Sequence, residues 1–413
     1  MPEEEPRSWR APLHLYRVLD LTDELGWLCG HILAELGATV VKVEPPGGDP
    51  GRRVPPLVEG ASGETVSAVW LAYNSGKRGI TLDLEADAGR RALLDLVAHS
   101  HFLIESFKPG YLKSIGLGWE LLRQRNPSLV MTSITPYGQS GPQAAAPAGD
   151  LELMAASGAM WLAGDPDRPP VRITHPQAAC WGSLHAAVGT LIAHHHRQQT
   201  GRGQHVDASV QAGLLPALVV APCFWEMLGE SPRRAGAYLT GRNLNGVAVR
   251  NIWPCRDGYV TYAIYGGLTG RQSNRQLAAW MAERGQAPEF LQQIDWDHFE
   301  VASATADQVA RLELAIGAFL RTLTRGEFVE GALARRILGY SVATAAEIAQ
   351  DPQLQARQAW QVLDDPTLGS QVRQPSGFVR FDGRAPRLAR PAPRLGEHNR
   401  EVLEQERLAE AGA

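Results

Sequence analysis

Apolar residues along the first half of the chain fall into short runs alternating with longer periodic stretches. Arg17 to Leu21 and Thr39 to Val43 read as buried strands, and Gly26 to Leu36 between them has the length of a crossover helix. The order repeats: a helical pattern from Asp87 to Ala98, a strand at Phe102 to Ile104, a helix over Trp119 to Arg125 and a strand at Leu129 to Ile134. Strands alternating with helices predict a mostly parallel sheet covered on both faces. Leu151 to Leu162 and Pro176 to His196 predict two helices joined by the loop Gly164 to Pro170, with Pro176 at the first helical position. Thr200 to Gln204 breaks the chain before His205-Val206-Asp207, and an apolar stretch follows from Ala208 to Met227.

From Gly246 the texture changes. Cys255-Arg256-Asp257-Gly258 predicts a hairpin turn leading into Tyr259 to Tyr262, and helices with polar faces follow. The predicted organisation is an α/β chain: a large domain over 1–215, a linker over 216–245, a smaller α+β domain over 246–344, and a return of 345–413 to the large domain. The proline-rich run from Ala385 to Pro393 predicts an extended wrap over its surface.

At 413 residues, 44% hydrophobic, the chain can bury two cores. A net charge of -4 gives no electrostatic case for nucleic acid or an anionic membrane. No apolar run reaches the length of a membrane span, and the acidic start Glu3-Glu4-Glu5 is unlike a secretory signal. The four cysteines are far apart, which predicts neither a disulfide framework nor a zinc site and fits a cytoplasmic setting.

Motifs for other chemistry are incomplete. Gly26, Gly30 and Gly37 do not form the dinucleotide fingerprint, and Gly76-Lys77 lacks the rest of a phosphate-cradling loop. His194, His195 and His196 project about 100° apart on a helix and do not converge on one metal ion. Cys180 sits in apolar surroundings that favour an inert thiol. Asp165 and Asp167 lie in a proline-rich loop where Asp serves the turn itself.

A series of blocks gives the strongest signal: Val18-Leu19-Asp20-Leu21-Thr22, Leu36-Gly37-Ala38, Val41 through Asp49, Asn74-Ser75-Gly76-Lys77-Arg78, Phe107-Lys108-Pro109-Gly110, Gly116-Leu117-Gly118, Tyr137 through Pro142, Gly201-Arg202-Gly203-Gln204 and Gly396-Glu397-His398. In this order, over nearly the whole chain, the sequence resembles the class III CoA transferases, the formyl-CoA transferase and carnitine CoA-transferase family. The resemblance implies a Rossmann-like large domain, a smaller middle domain and two chains threaded through each other as an interlocked dimer. It also implies that coenzyme A enters as a cosubstrate, carried on an acyl-CoA, with no permanently bound cofactor and no metal. In active members an Asp attacks the acyl-CoA, and an aspartyl-CoA thioester then hands CoA to the acceptor acid.

Aligned without a gap, that Asp falls at Ala179 in the stretch Gln177-Ala178-Ala179-Cys180-Trp181-Gly182. No catalytic residue is therefore carried over. The His and Asp of the related racemases fall at Gly149 and Ala179, and the glutamine of formyl-CoA transferase falls at Leu25, so neither chemistry is expected. An Asp-less chain on an intact scaffold resembles one subunit of the two-subunit succinyl-CoA:benzylsuccinate CoA-transferase branch, in which a paralogous partner supplies the Asp. Lys77, Arg78, Phe107, Lys108 and Tyr137 match or adjoin family positions near CoA. Two alternatives stand beside this expectation: a self-sufficient homodimer using Asp167 or Asp165, and a CoA-binding or structural protein without transferase activity.

Overall fold

The computed structural model describes residues 9–404, Arg242 excepted. The chain divides into two compact units, one formed by residues 1–159, 172–226 and 352–413, the other by 160–171 and 227–351.

The first unit is built on a six-stranded sheet of β1 (Arg17–Leu21), β2 (Thr39–Glu44), β3 (Arg78–Thr81), β4 (Phe102–Glu105), β5 (Val130–Thr135) and β6 (His205–Ser209). The strand order is β3-β2-β1-β4-β5-β6 and every ladder is parallel. This is the Rossmann order, in which the direction of winding reverses between β1 and β4. Helix α1 (Trp27–Glu35) is the first crossover, α2 (Asp87–Ala98) and α3 (Trp119–Arg125) follow, and α4 (Asp150–Ala156) and the long α5 (Ala178–Thr200) connect β5 to β6. Leu19, Leu21, Val41, Ile80, Leu103 and Met131 pack with Leu93, Leu96 and Leu122 into one buried cluster on one face. The other face meets α5, where Thr132 Oγ1 lies 2.7 Å from Thr190 Oγ1.

Three predicted boundaries shift. The helix expected over Leu151 to Leu162 ends at Ala156 because Gly158 takes a left-handed φ of +84°, and a 3₁₀ turn over Met160–Leu162 follows. Pro176 lies outside α5, whose N-cap is Gln177. The apolar stretch after β6 is broken: Val210–Leu218 and Val220–Leu228 meet at a 70° bend, just after the rigid Pro216. No single helix among the described residues is long and apolar enough to cross a membrane, although this bent pair meets the length and composition together. The proline-rich segment bonds to the first unit: Arg390 O accepts the Gly76 N–H at 2.8 Å, and Pro393 O accepts from Arg52 at 3.0 Å. A Cβ on Gly79 would stand 2.8 Å from the Pro393 ring, so the tail needs glycine there.

The second unit carries a small antiparallel sheet of β7 (Ile252–Cys255), β8 (Gly258–Tyr262) and β9 (Gly339–Ser341). Cys255 pairs with Gly258, so Arg256-Asp257 forms the predicted two-residue turn. Trp253, Tyr262, Trp280, Phe319 and Phe328 fill its core.

Candidate functional site

In an open parallel sheet, ligands meet the carboxyl ends of the strands where the winding reverses. Here that point lies between the loops after β1 and β4. The loops are joined across it: Ser106 Oγ accepts the Asp23 N–H at 2.7 Å and donates to Asp23 Oδ1 at 2.7 Å. The start of α5 stands beside the first loop, since Ser183 donates to Leu25 O at 2.8 Å.

The first turn of α5 contains no acidic residue, and Ala179 lies in it, partly exposed. The carboxylate that serves this helix start comes from α4. Asp150 Oδ1 accepts the N–H groups of Gln177 at 2.6 Å and Ala178 at 2.7 Å, two of the donors a helix start leaves free. This explains why the helix begins after Pro176. Because both bonds are charge-assisted, Asp150→Ala is expected to lower stability by about 1–2 kcal/mol in urea unfolding, with Asp150→Asn recovering part of the loss.

The residues expected near CoA separate into two places. Phe107 and Lys108 follow β4 and Tyr137 follows β5, all at the carboxyl ends of the sheet. Lys108 is exposed, while Phe107 and Tyr137 are half-buried. Phe107 leans on Tyr111 with ring centres 4.8 Å apart. Lys77 and Arg78 stand instead at the amino end of β3. Arg78 pairs with Glu401 at 3.1 Å. Lys77 is fully buried, and its ammonium donates to Asp20 Oδ2 at 2.8 Å, Trp27 O at 2.9 Å and Asn74 Oδ1 at 2.9 Å. An ammonium has three donors, and all three are used.

Lys77 belongs to a buried charge cluster. Lys42 stands 3.8 Å from Asp20 and 3.4 Å from Asp49, and donates to Thr22 O. Asp49 accepts from the Trp27 indole at 3.3 Å. Glu44 takes a bidentate bond from Arg52 at 2.6 and 2.7 Å. Burial pushes the Asp20 carboxyl up, but attraction from Lys77 and Lys42 and hydrogen bonds from Lys77 and Thr22 outweigh it and leave Asp20 below the usual carboxylate range. The cluster holds the loop after β1, through Thr22 and Trp27, against the sheet.

Of the other candidates, His194 turns inward, with its ring centre 4.5 Å from that of Tyr16, while His195 bonds Gln199 and His196 approaches Thr200, so the three rings diverge. Cys180 Sγ lies 3.5 Å from Tyr73 Oη. Asp165 and Asp167 are exposed and belong to the second unit; the main chain there is tied down by Arg234, whose guanidinium donates to Asp165 O and Arg168 O.

The sequence profile of CoA-transferase family III matches residues 13–399. The chain belongs to that family. It is 35% identical over 391 residues to a subunit of the succinyl-CoA:(R)-benzylsuccinate CoA-transferase of Thauera aromatica, covering 94% of this chain and 92% of that one. It is 32% identical to a succinyl-CoA–D-citramalate CoA-transferase of Chloroflexus aurantiacus, over 95% and 93% of the two chains. Among solved structures, a CAIB/BAIF family protein of Brucella suis superposes with a TM-score of 0.81 at 27% identity, covering 96% of this chain and all of that one. Membership makes coenzyme A a cosubstrate carried on an acyl-CoA rather than a resident cofactor, and makes transfer of CoA between acyl-CoA and organic acids the family's reaction.

Asp150, Lys42 and Glu105 were not singled out by sequence. Single charged residues within or at the ends of strands and helices carry no spacing signal, and only the packing shows what each one holds.

Proposed function

We propose that this chain is a subunit of a heteromeric CoA transferase that moves CoA from an acyl-CoA donor, succinyl-CoA, to a dicarboxylic acid of the benzylsuccinate kind. The observation that carries this reading is the first turn of α5, where the aligned nucleophile position is Ala179 and the nearby carboxylate of Asp150 is committed to capping. An alanine offers no lone pair to a thioester carbonyl, so the attacking Asp belongs to a paralogous partner. The partner's Asp would displace CoA thiolate from the acyl-CoA to give a mixed anhydride, and the thiolate would return to the aspartyl carbonyl, releasing the donor acid and leaving the aspartyl-CoA thioester. The acceptor carboxylate would displace the thiolate again to give a second mixed anhydride, which the thiolate would open at the acceptor's carbonyl, forming the new CoA ester and freeing the Asp. The relatives named for succinyl-CoA, one of them a subunit, support the donor and the heteromeric assembly.

The surface of the first unit supports a partner. Trp181, Leu184, Val188 and Ile192 form an exposed apolar stripe along α5, and Val219, Val220, Phe224 and Trp225 are exposed farther on. Leu184 and Val188 of this stripe wall an apolar groove of about 560 Å³ that is also lined by Ile32, Leu354 and Phe378. We read these surfaces as the contact faces of an interlocked dimer with the paralogue. Phe107, Lys108 and Tyr137 are the residues we place against CoA, with Arg78 at a distance from them. Lys77 leaves that group, because its donors are satisfied inside the fold.

The test compares the purified chain with the chain co-expressed with an Asp-bearing paralogue, using succinyl-CoA and benzylsuccinate and following CoA esters by chromatography. Turnover by the pair and none by the lone chain is the expected result. Turnover by the lone chain would overturn the reading and make Asp167→Ala the next variant. A pair that ignores aryl-substituted succinates while accepting other acids would remove the benzylsuccinate assignment.

A further inference from the structure

One row of polar side chains crosses three neighbouring strands at the carboxyl end of the sheet. Glu105 on β4 stands opposite Ser133 on β5, and Ser133 stands opposite Asp207 on β6. Side chains alternate between the faces of a strand, so these three share the face opposite α5, which Thr132 contacts. Ser133 Oγ lies 2.8 Å from His205 Nε2, and His205 stacks with Trp119 at 5.7 Å between ring centres. Glu105 and Ser133 are buried, whereas His205 reaches the exposed edge of the sheet. Each end of the row anchors a loop. Glu105 Oε2 accepts the Phe107 N–H at 2.7 Å, and both oxygens of Asp207 accept the Gln139 N–H at 3.0 Å.

We propose that Glu105 is a positioning residue whose protonation state, passed through the Ser133 hydroxyl to His205, sets the Phe107–Lys108 loop for CoA. The inference rests on the placement of CoA given above. The Ser133 hydroxyl has one proton to donate. When Glu105 is a neutral acid, it donates to Ser133, and Ser133 donates to His205 Nε2. When Glu105 is ionised, it accepts the Ser133 proton, and His205 Nε2 must carry the proton it donates to Ser133. The tautomer of His205 therefore reports the state of the buried acid, and no proton need leave the row except by way of His205. The Phe107 N–H bond is charge-assisted only in the ionised state.

The groups facing Glu105 are Asp23 from the loop after β1, Asp207 from β6, the Ser133 hydroxyl and the Phe107 N–H. Burial pushes Glu105 up to about 7, with Asp23 and Asp207 adding to the rise and the bonds from Ser133 and Phe107 opposing it. Burial lowers His205, with Asp207 in opposition.

The experiment follows the ring nitrogens of His205 in the full chain by ¹⁵N NMR from pH 6 to 8.5, beside CoA affinity by calorimetry. In the wild type the His205 shifts should follow a midpoint near the Glu105 value, and in Glu105→Gln they should stay fixed, because the amide mimics the neutral acid. CoA should bind Glu105→Gln and the wild type alike at pH 6, and Glu105→Gln about fivefold more weakly at pH 8, the difference between a charged and a neutral hydrogen bond. Ser133→Ala, which alters no charge, should uncouple His205 from Glu105. His205 shifts that are flat in the wild type, or that titrate unchanged in Glu105→Gln, would overturn the relay. If Lys108→Ala leaves CoA affinity unchanged while His205 still follows Glu105, the placement of CoA fails and the relay stands without that ligand.

Discussion

Ala179→Asp is expected to give the lone chain a covalent CoA intermediate. The substitution puts a carboxylate into the first turn of α5, where the helix dipole favours a negative charge and position 179 is partly exposed. Removing a nucleophile typically costs roughly 10⁴–10⁶ in rate, so introducing one should raise thioester formation at least about 100-fold above the wild-type background. Incubation with succinyl-CoA followed by intact-mass measurement should show the variant heavier by CoA less water, and the wild type unmodified. An unmodified variant that still binds CoA would show that the groups around position 179 do not support attack by a carboxylate there.

The second large effect is expected at Lys77. Lys77→Met leaves Asp20 fully buried with only Lys42, 3.8 Å away, as a charged neighbour. Breaking a buried pair from one side typically costs about 3–5 kcal/mol, because the remaining charge keeps its desolvation penalty and loses its compensation. Urea unfolding should show a loss of that order, and Asp20→Asn combined with Lys77→Met should recover much of it. Gly30 restricts the repair, since a Cβ there would stand 2.2 Å from Asp20 Oδ2, and the backbone of α1 closes directly over the carboxylate. The sign with pH follows from the depressed value of Asp20. Its contribution is complete above the ordinary carboxylate range near 3.9 and is lost only as pH falls through the lower folded value. A single Lys77→Met chain as stable as the wild type would show that water or movement of Lys42 compensates Asp20.

Both effects depend on residues whose roles differ in how readable they are. The strands Arg17–Leu21 and Thr39–Glu44 and the helix Asp87–Ala98 were legible because apolar periodicity follows directly from which face of an element must be buried. An acid-free start to the helix Ala178–Thr200 was legible too, since no Asp or Glu stands in that stretch of the chain. Lys77 was legible only as a member of a block. Gly76-Lys77-Arg78 gives no sign whether the ammonium turns to solvent or inward, and that is set by Asp20 and Asn74, one of them far away in sequence. The attachment of Met160–Val171 to the second unit is likewise absent from local pattern, since it depends on bonds such as Trp161 Nε1 to Pro232 O at 2.9 Å.

By itself, the sequence determined the alternation of strands and helices, the family blocks and the absence of an acidic residue from the first turn of α5, because each is written in neighbouring residues. Only the tertiary structure decided that the sheet winds as β3-β2-β1-β4-β5-β6, that Asp150 caps α5, that Lys77 is consumed by the core, and that Glu105, Ser133 and Asp207 form one row. The reason is physical. Hydrogen bonds and ion pairs act over about 3–4 Å, and folding brings within that range groups that the chain holds tens to hundreds of residues apart.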